Sequence, residues 1–92
     1  MNARQLDQLR KTIRAYAYEH GVEADIWIED MPGSDANPAG PRIQLHVLRR
    51  IEGQPPRVHP HNAAGYRPDA PDLKARLERD IKEAARALYA TP

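Results

Sequence analysis

His59 and His61 stand one residue apart, and with His20 and His46 they are the metal-capable side chains that come closest to a cluster. Two histidines at that spacing can share a metal ion, but a metal site needs a further ligand at a defined distance along the chain. The sequence has no cysteine and no HExxH pairing to supply one. Surface positions account for all four histidines. His20 falls beside a helix stop, where a cation suits the helix dipole, and His46 falls on the polar side of a strand. No metal and no cofactor are expected. Acid–base chemistry has as little to stand on. Asp25 and Glu29 lie on one side of an extended segment, roughly 13 Å apart at about 3.3 Å per residue, too far for a working carboxylate pair. Ser34 sits in a proline-rich stretch without a nucleophile motif, and there is neither a glycine-rich phosphate loop nor a thiol. The sequence therefore predicts no catalytic residue and a protein that is not an enzyme.

What remains is Trp27, the one tryptophan of the chain. It alternates with Ile26 and Ile28, so it faces away from the apolar side of its strand, between Asp25 and Glu29. Aromatic side chains on a polar surface serve as binding anchors, because they offer large area at low rotamer cost. Three readings stay open. Trp27 anchors a partner, or it is covered by residues 31–41 or by the segment after Ile51, or it lies in the seam of a homodimer. The candidate partner site has Trp27, His46 and Leu48 at its centre and Asp25, Glu29, Arg49 and Arg50 at its rim.

The elements that position these residues are legible from periodicity. Asn2 followed by Gln5 forms a capping box. Leu6, Leu9, Ile13, Tyr16, Ala17 and His20 then recur at helical spacing up to Gly21, which supplies a left-handed stop. The spacing predicts a helix over residues 3–20. Strands are expected over residues 22–29, with Val22, Ala24, Ile26 and Ile28 inward, and 42–51, with Ile43, Leu45, Val47 and Ile51 inward. Residues 31–41 hold three prolines and two glycines and must be a loop. If the strands pair antiparallel across it, parity permits Trp27 opposite His46, with Leu48 and Gln44 one step to either side. Residues 57–59 are a candidate third strand, confined to an edge by Pro55, Pro56 and Pro60. Asp69 caps a second helix, with Pro71 in its first turn. Leu73, Leu77, Ile81, Ala84 and Leu88 form the apolar stripe of that helix.

The expectation is a single α+β domain over residues 1–92, built as a two-layer sandwich in the order helix–strand–strand–short strand–helix. Both helices lie on one face of a small antiparallel sheet. With no phenylalanine in 92 residues, the core is barely sufficient for its size, and a homodimer or a partner on the open face would relieve it. No apolar stretch suggests export or membrane insertion, so a cytoplasmic protein is expected. Arginine, alanine and proline usage is that of a GC-rich genome, pointing to a bacterium or a phage.

The net charge of +1 hides three blocks. Residues 1–14 are basic. Residues 15–41 carry Glu19, Glu23, Asp25, Glu29, Asp30 and Asp35 with no Lys or Arg. Residues 42–68 are basic again. The plain expectation is that acidic and basic strands compensate across the hairpin; the sharper one is a two-lobed surface suited to a complementary protein. On the second helix, Glu78 with Lys82, Arg79 with Glu83 and Arg76 with Asp80 have i,i+4 spacing.

The element order, and the run Tyr18-Glu19-His20-Gly21 followed by a strand and a Pro/Gly-containing loop, resemble the first half of the double-stranded-RNA-binding domain. That resemblance implies groove contacts from the strand-joining loop and a lysine cluster opening the last helix. Here the loop is flanked by Glu29 and Asp30, and the helix opens on Asp69, Pro71 and Asp72. Those charges oppose a polyanion. The function expected is thus a small protein-interaction domain, an adaptor or an inhibitor that masks another protein. One alternative is a nucleic-acid-binding accessory protein using Arg42, Arg49, Arg50, Arg57, His59 and His61. The other is a structural homo-oligomer.

Overall fold

The computed structural model describes residues 1–36, 38–60 and 64–90. Helix α1 spans Ala3–Glu19. The Asn2 side chain accepts from the Gln5 N–H at 2.8 Å while the Gln5 side chain accepts from the Asn2 N–H at 2.9 Å, the reciprocal capping expected of that pair. At the other end Gly21 takes φ +75°. The N–H groups of Gly21 and Val22 then reach back to the carbonyls of Tyr18 and Ala17 at 3.0 and 3.1 Å, a complete Schellman closure. The chain therefore turns straight into strand β1, Glu23–Met31.

Strand β2, Gly40–Arg49, pairs antiparallel with β1 and lies at the centre of the sheet. The third strand exists: β3, Arg57–Val58, pairs antiparallel with β2 through Leu48 and Arg49. The same side of β2 also receives Tyr66, which exchanges both backbone hydrogen bonds with Ile43 at 2.8 and 2.9 Å. Gly65 makes this approach possible. Its φ is +68°, and a Cβ there would stand 2.7 Å from the Ile43 carbonyl. The far side of β2 is thus closed at both ends, and β1 is the exposed edge of the sheet.

Helix α2 spans Leu73–Ala90, starting later than the capping residues suggest. The N–H of Ala70 bonds to Arg67 and that of Leu73 to Ala70, so residues 67–73 make tight turns and Pro71 lies outside the helix. Proline disfavours the helical conformation in the residue before it, which delays the start until the Arg76 N–H can bond to the Asp72 carbonyl at 3.0 Å.

Both helices cover one face, α1 over β1 and α2 over β2, and they touch each other. The core is one cluster built from Ile13 and Ala17, from Val22, Ala24 and Ile26, from Ile43, Leu45 and Val47, and from the α2 stripe. This is the expected α+β sandwich. Two expected core residues are not in it. Ile28 is 37% exposed, because it sits on an edge strand with no neighbour on its outer side, and Ile51 is half-buried beyond the end of β2. Among the described residues, no helix is long and apolar enough to cross a membrane.

Candidate interaction surface

The register adopted lies two residues from the Trp27–His46 pairing that parity permits. Trp27 stands opposite Gln44, Asp25 opposite His46 and Glu23 opposite Leu48. A slip of two keeps every side chain on its own face, so Trp27, His46 and Leu48 still share the side away from the helices. Trp27 is 39% exposed, and His46 and Leu48 are half-buried. Near His46 and Leu48, where the sheet meets the C-terminal turn of α1, lies an open groove of about 380 Å³ bordered also by Glu23, Asp25 and Tyr18. Tyr18 is 85% exposed and was not indicated by periodicity; its only signal is a large aromatic lying off the α1 stripe.

Asp25 is not a free rim charge. Arg10 donates to both of its carboxylate oxygens at 3.1 and 3.0 Å, and Arg14 donates at 3.1 Å. The N–H of Ile26 adds a fourth bond at 2.9 Å. Hydrogen bonding from Arg10, helped by Arg14 and the Ile26 N–H and opposed by partial burial, lowers the Asp25 pKa to about 2. Two arginines one turn apart on α1 thus reach around the sheet edge, and the carboxylate they hold occupies an outward N–H of β1.

Charge compensation across the hairpin is correspondingly smaller than expected. Arg50 pairs with Glu23. Glu29 stands opposite Arg42 in register, yet the Arg42 guanidinium donates to the carbonyls of Pro41 and Pro38 at 3.1 and 3.2 Å and is almost wholly buried. Gln44 is 2% exposed. Its amide N–H lies 3.7 Å from the Met31 sulfur, and its carbonyl oxygen is buried without a hydrogen-bond partner among the described residues. The sheet face is therefore covered at Arg42 and Gln44 and open from Trp27 toward Leu48.

Arg49, placed by sequence reasoning in both candidate sites, faces the helices. Its guanidinium stacks over the Tyr89 ring at 3.9 Å and donates to the Leu88 carbonyl at 3.2 Å. It satisfies a carbonyl at the end of α2, where a cation suits the helix dipole. Tyr89 in turn donates to the Gly21 carbonyl at 2.6 Å, tying the two helix C-termini together. Of the remaining residues in the alternative site, Arg57 and His59 lie at the β3 edge, where the His59 N–H donates to Val47 at 2.9 Å. His61 lies outside the described residues.

On α2, Lys74 pairs with Glu78 at 3.8 Å, an i,i+4 pair other than those expected, and Arg79 pairs with its neighbour Asp80 at 3.3 Å. Asp80 also accepts a hydrogen bond from the Tyr66 hydroxyl. Burial first, and Asp80 second, hold the Tyr66 phenol well above its ordinary pKa. These two residues, with His59 and Glu83, border a cavity of about 140 Å³ between β2 and α2. Among the described residues, no group of three His, Asp or Glu side chains is placed to hold a metal ion. Comparison of the chain with family models, with curated proteins and with solved structures finds no match.

Proposed function

We propose that this is a non-enzymatic, cytoplasmic protein-interaction domain that works by binding and masking another protein. The observation that carries the reading is Trp27, a large aromatic left 39% exposed on the sheet face that neither helix covers. Toward the far end of that face, His46 and Leu48 with Tyr18 of α1 extend a mixed aromatic and aliphatic surface, and paired charges at Asp25 and Glu23 give it a polar rim. A central aromatic within a ring of polar contacts is the usual composition of a protein-binding patch. Three of the arginines that favour nucleic acid already have partners within the chain, that of Arg50 in an exposed ion pair. Arg42 is tied to loop carbonyls, Arg49 to the end of α2 and Arg50 to Glu23, which leaves few donors for phosphate.

The test is affinity capture with the wild-type domain and with Trp27→Ala, each with and without nuclease. A stoichiometric protein that survives nuclease and is lost with Trp27→Ala, while the circular dichroism of the variant is unchanged, supports the reading. Capture that depends on nucleic acid would move the function to the arginine-rich region. A defined homo-oligomer that captures nothing else would make the domain a structural subunit.

A further inference from the structure

We propose that the outer edge of β1, over residues 27–31, accepts an extended basic segment of a partner protein as a fourth strand. This deepens the protein-binding reading above, naming the chemistry of the partner and a second place where it is held.

The ladder decides which backbone groups are available. Ile43 gives both its N–H and its C=O to Tyr66, on the side of β2 away from β1. Ile28, opposite Ile43, is therefore in a non-hydrogen-bonded pair, and its own N–H and C=O point out of the sheet. By the period of two, so do those of Ala24, Ile26 and Asp30. The Asp25 carboxylate occupies the outward N–H of Ile26, and Arg10 and Arg14 lie over that end. Among the described residues nothing pairs with the outward groups of Ile28 and Asp30. An unpaired run of this kind is a template for strand addition.

The side chains say what kind of strand fits. Trp27 and Ile28, 39% and 37% exposed, offer apolar contact on opposite faces of the edge. Glu29 and Asp30 are exposed and make no ion pair among the described residues, whereas Asp25 and Glu23 already have theirs. A second copy of β1 is a poor occupant. Antiparallel self-pairing centred on Trp27 sets Asp25 against Glu29 twice, centring on Glu29 sets that residue against itself, and centring on Ile28 avoids such pairs but brings no cation to Glu29 or Asp30. Like charges opposite each other in a ladder destabilise it. A strand alternating Lys or Arg with aliphatic residues meets both requirements.

The probe is a ten-residue peptide alternating Val and Lys, compared with its Val and Glu counterpart by NMR titration and amide hydrogen exchange. The Lys peptide should bind at least about tenfold tighter and slow exchange at Ile28 and Asp30. Ile28→Pro removes an outward N–H without touching the β1–β2 ladder, and it should weaken the Lys peptide by about tenfold or more. Should that variant fail to fold, the double substitution Glu29→Lys with Asp30→Lys should reverse the preference toward the Glu peptide. Equal affinity for both peptides, no binding of either, or unchanged exchange at Ile28 would overturn the proposal. So would a homodimer abolished by Ile28→Pro. The two readings fail separately. A captured partner lost with Trp27→Ala and indifferent to Ile28→Pro leaves the face and removes the edge; the reverse pattern leaves the edge and removes the face.

Discussion

The two halves of β1 are one strand with opposite treatments. From Glu23 to Ile26 the edge is closed: Arg10 and Arg14 hold Asp25, Asp25 holds the Ile26 N–H, and Arg50 holds Glu23. From Trp27 to Met31 the apolar side chains Trp27, Ile28 and Met31 are part-exposed, and the acids Glu29 and Asp30 stand without cations among the described residues. The comparison teaches what the basic side of α1 is for. Arg10 and Arg14, one turn apart, are long enough to turn around the sheet edge, and their placement determines which half is shielded. Charge on a helix surface here acts as an edge guard, beyond simple solvation.

The sharpest way to separate the halves is to shorten an isoleucine in each. Ile26 is fully buried and Ile28 is 37% exposed. Ile26→Ala should cost about 3 kcal/mol through lost burial and a residual cavity, and Ile28→Ala less than about 1 kcal/mol. Urea denaturation of the two variants measures the difference; equal losses would mean that the open half is as tightly packed as the closed one.

Breaking the guard itself is the next largest effect. The Asp25 pKa is lowered to about 2, below the ~3.9 of an unfolded aspartate. Its contribution is therefore complete above about pH 4 and disappears as pH falls toward about 2. The side chain is 40% exposed, and solvent screening holds that contribution to about 1 kcal/mol. Asp25→Asn should lose about that much at pH 7, and the gap between variant and wild type should close in acid. A gap independent of pH would show that shape, not charge, holds this end of the strand.

The faces of β1 and β2 were legible because alternation has a period of two, and the caps of α1 because Asn2, Gln5 and Gly21 act on their own neighbours. Register was not legible. Trp27 opposite His46 and Trp27 opposite Gln44 differ by a two-residue slip that preserves both faces, so alternation alone does not choose between them. Distance along the chain hid the partners of Asp25, which lie 15 and 11 residues away on α1. Arg49 is a different case. Its parity with Ile43, Leu45 and Val47 already directed it inward, and a cation on that face needs an acceptor. The carbonyls that end α2 are one, but nothing local to Arg49 announces them. The outer edge of β1 was equally hidden, since which strand lies outermost follows from where Tyr66 and β3 attach.

The covered end of the sheet offers a stabilising test. Gln44 stands opposite Trp27; among the described residues its buried carbonyl oxygen has no partner and its amide has only a sulfur as acceptor. A buried orphan acceptor costs about 1–3 kcal/mol, and a similar-sized apolar replacement removes that cost. Gln44→Met should therefore raise stability by about 1 kcal/mol, read as a higher urea midpoint at unchanged slope. A loss instead would show that the oxygen is satisfied in solution.

The smallest effect is expected where the edge is open, and its smallness is informative. Glu29 is exposed and unpaired among the described residues, so Glu29→Gln should change stability by less than about 0.5 kcal/mol. Asp25 and Glu29 are carboxylates on the same face of the same strand; one is held by two arginines and the other is not. If Glu29→Gln leaves stability untouched yet weakens the Lys peptide, the charge at this end serves what binds there rather than the fold. A stability loss equal to that of Asp25→Asn would instead mean that Glu29 finds an internal cation in solution, and the two halves of the edge would then be equally guarded.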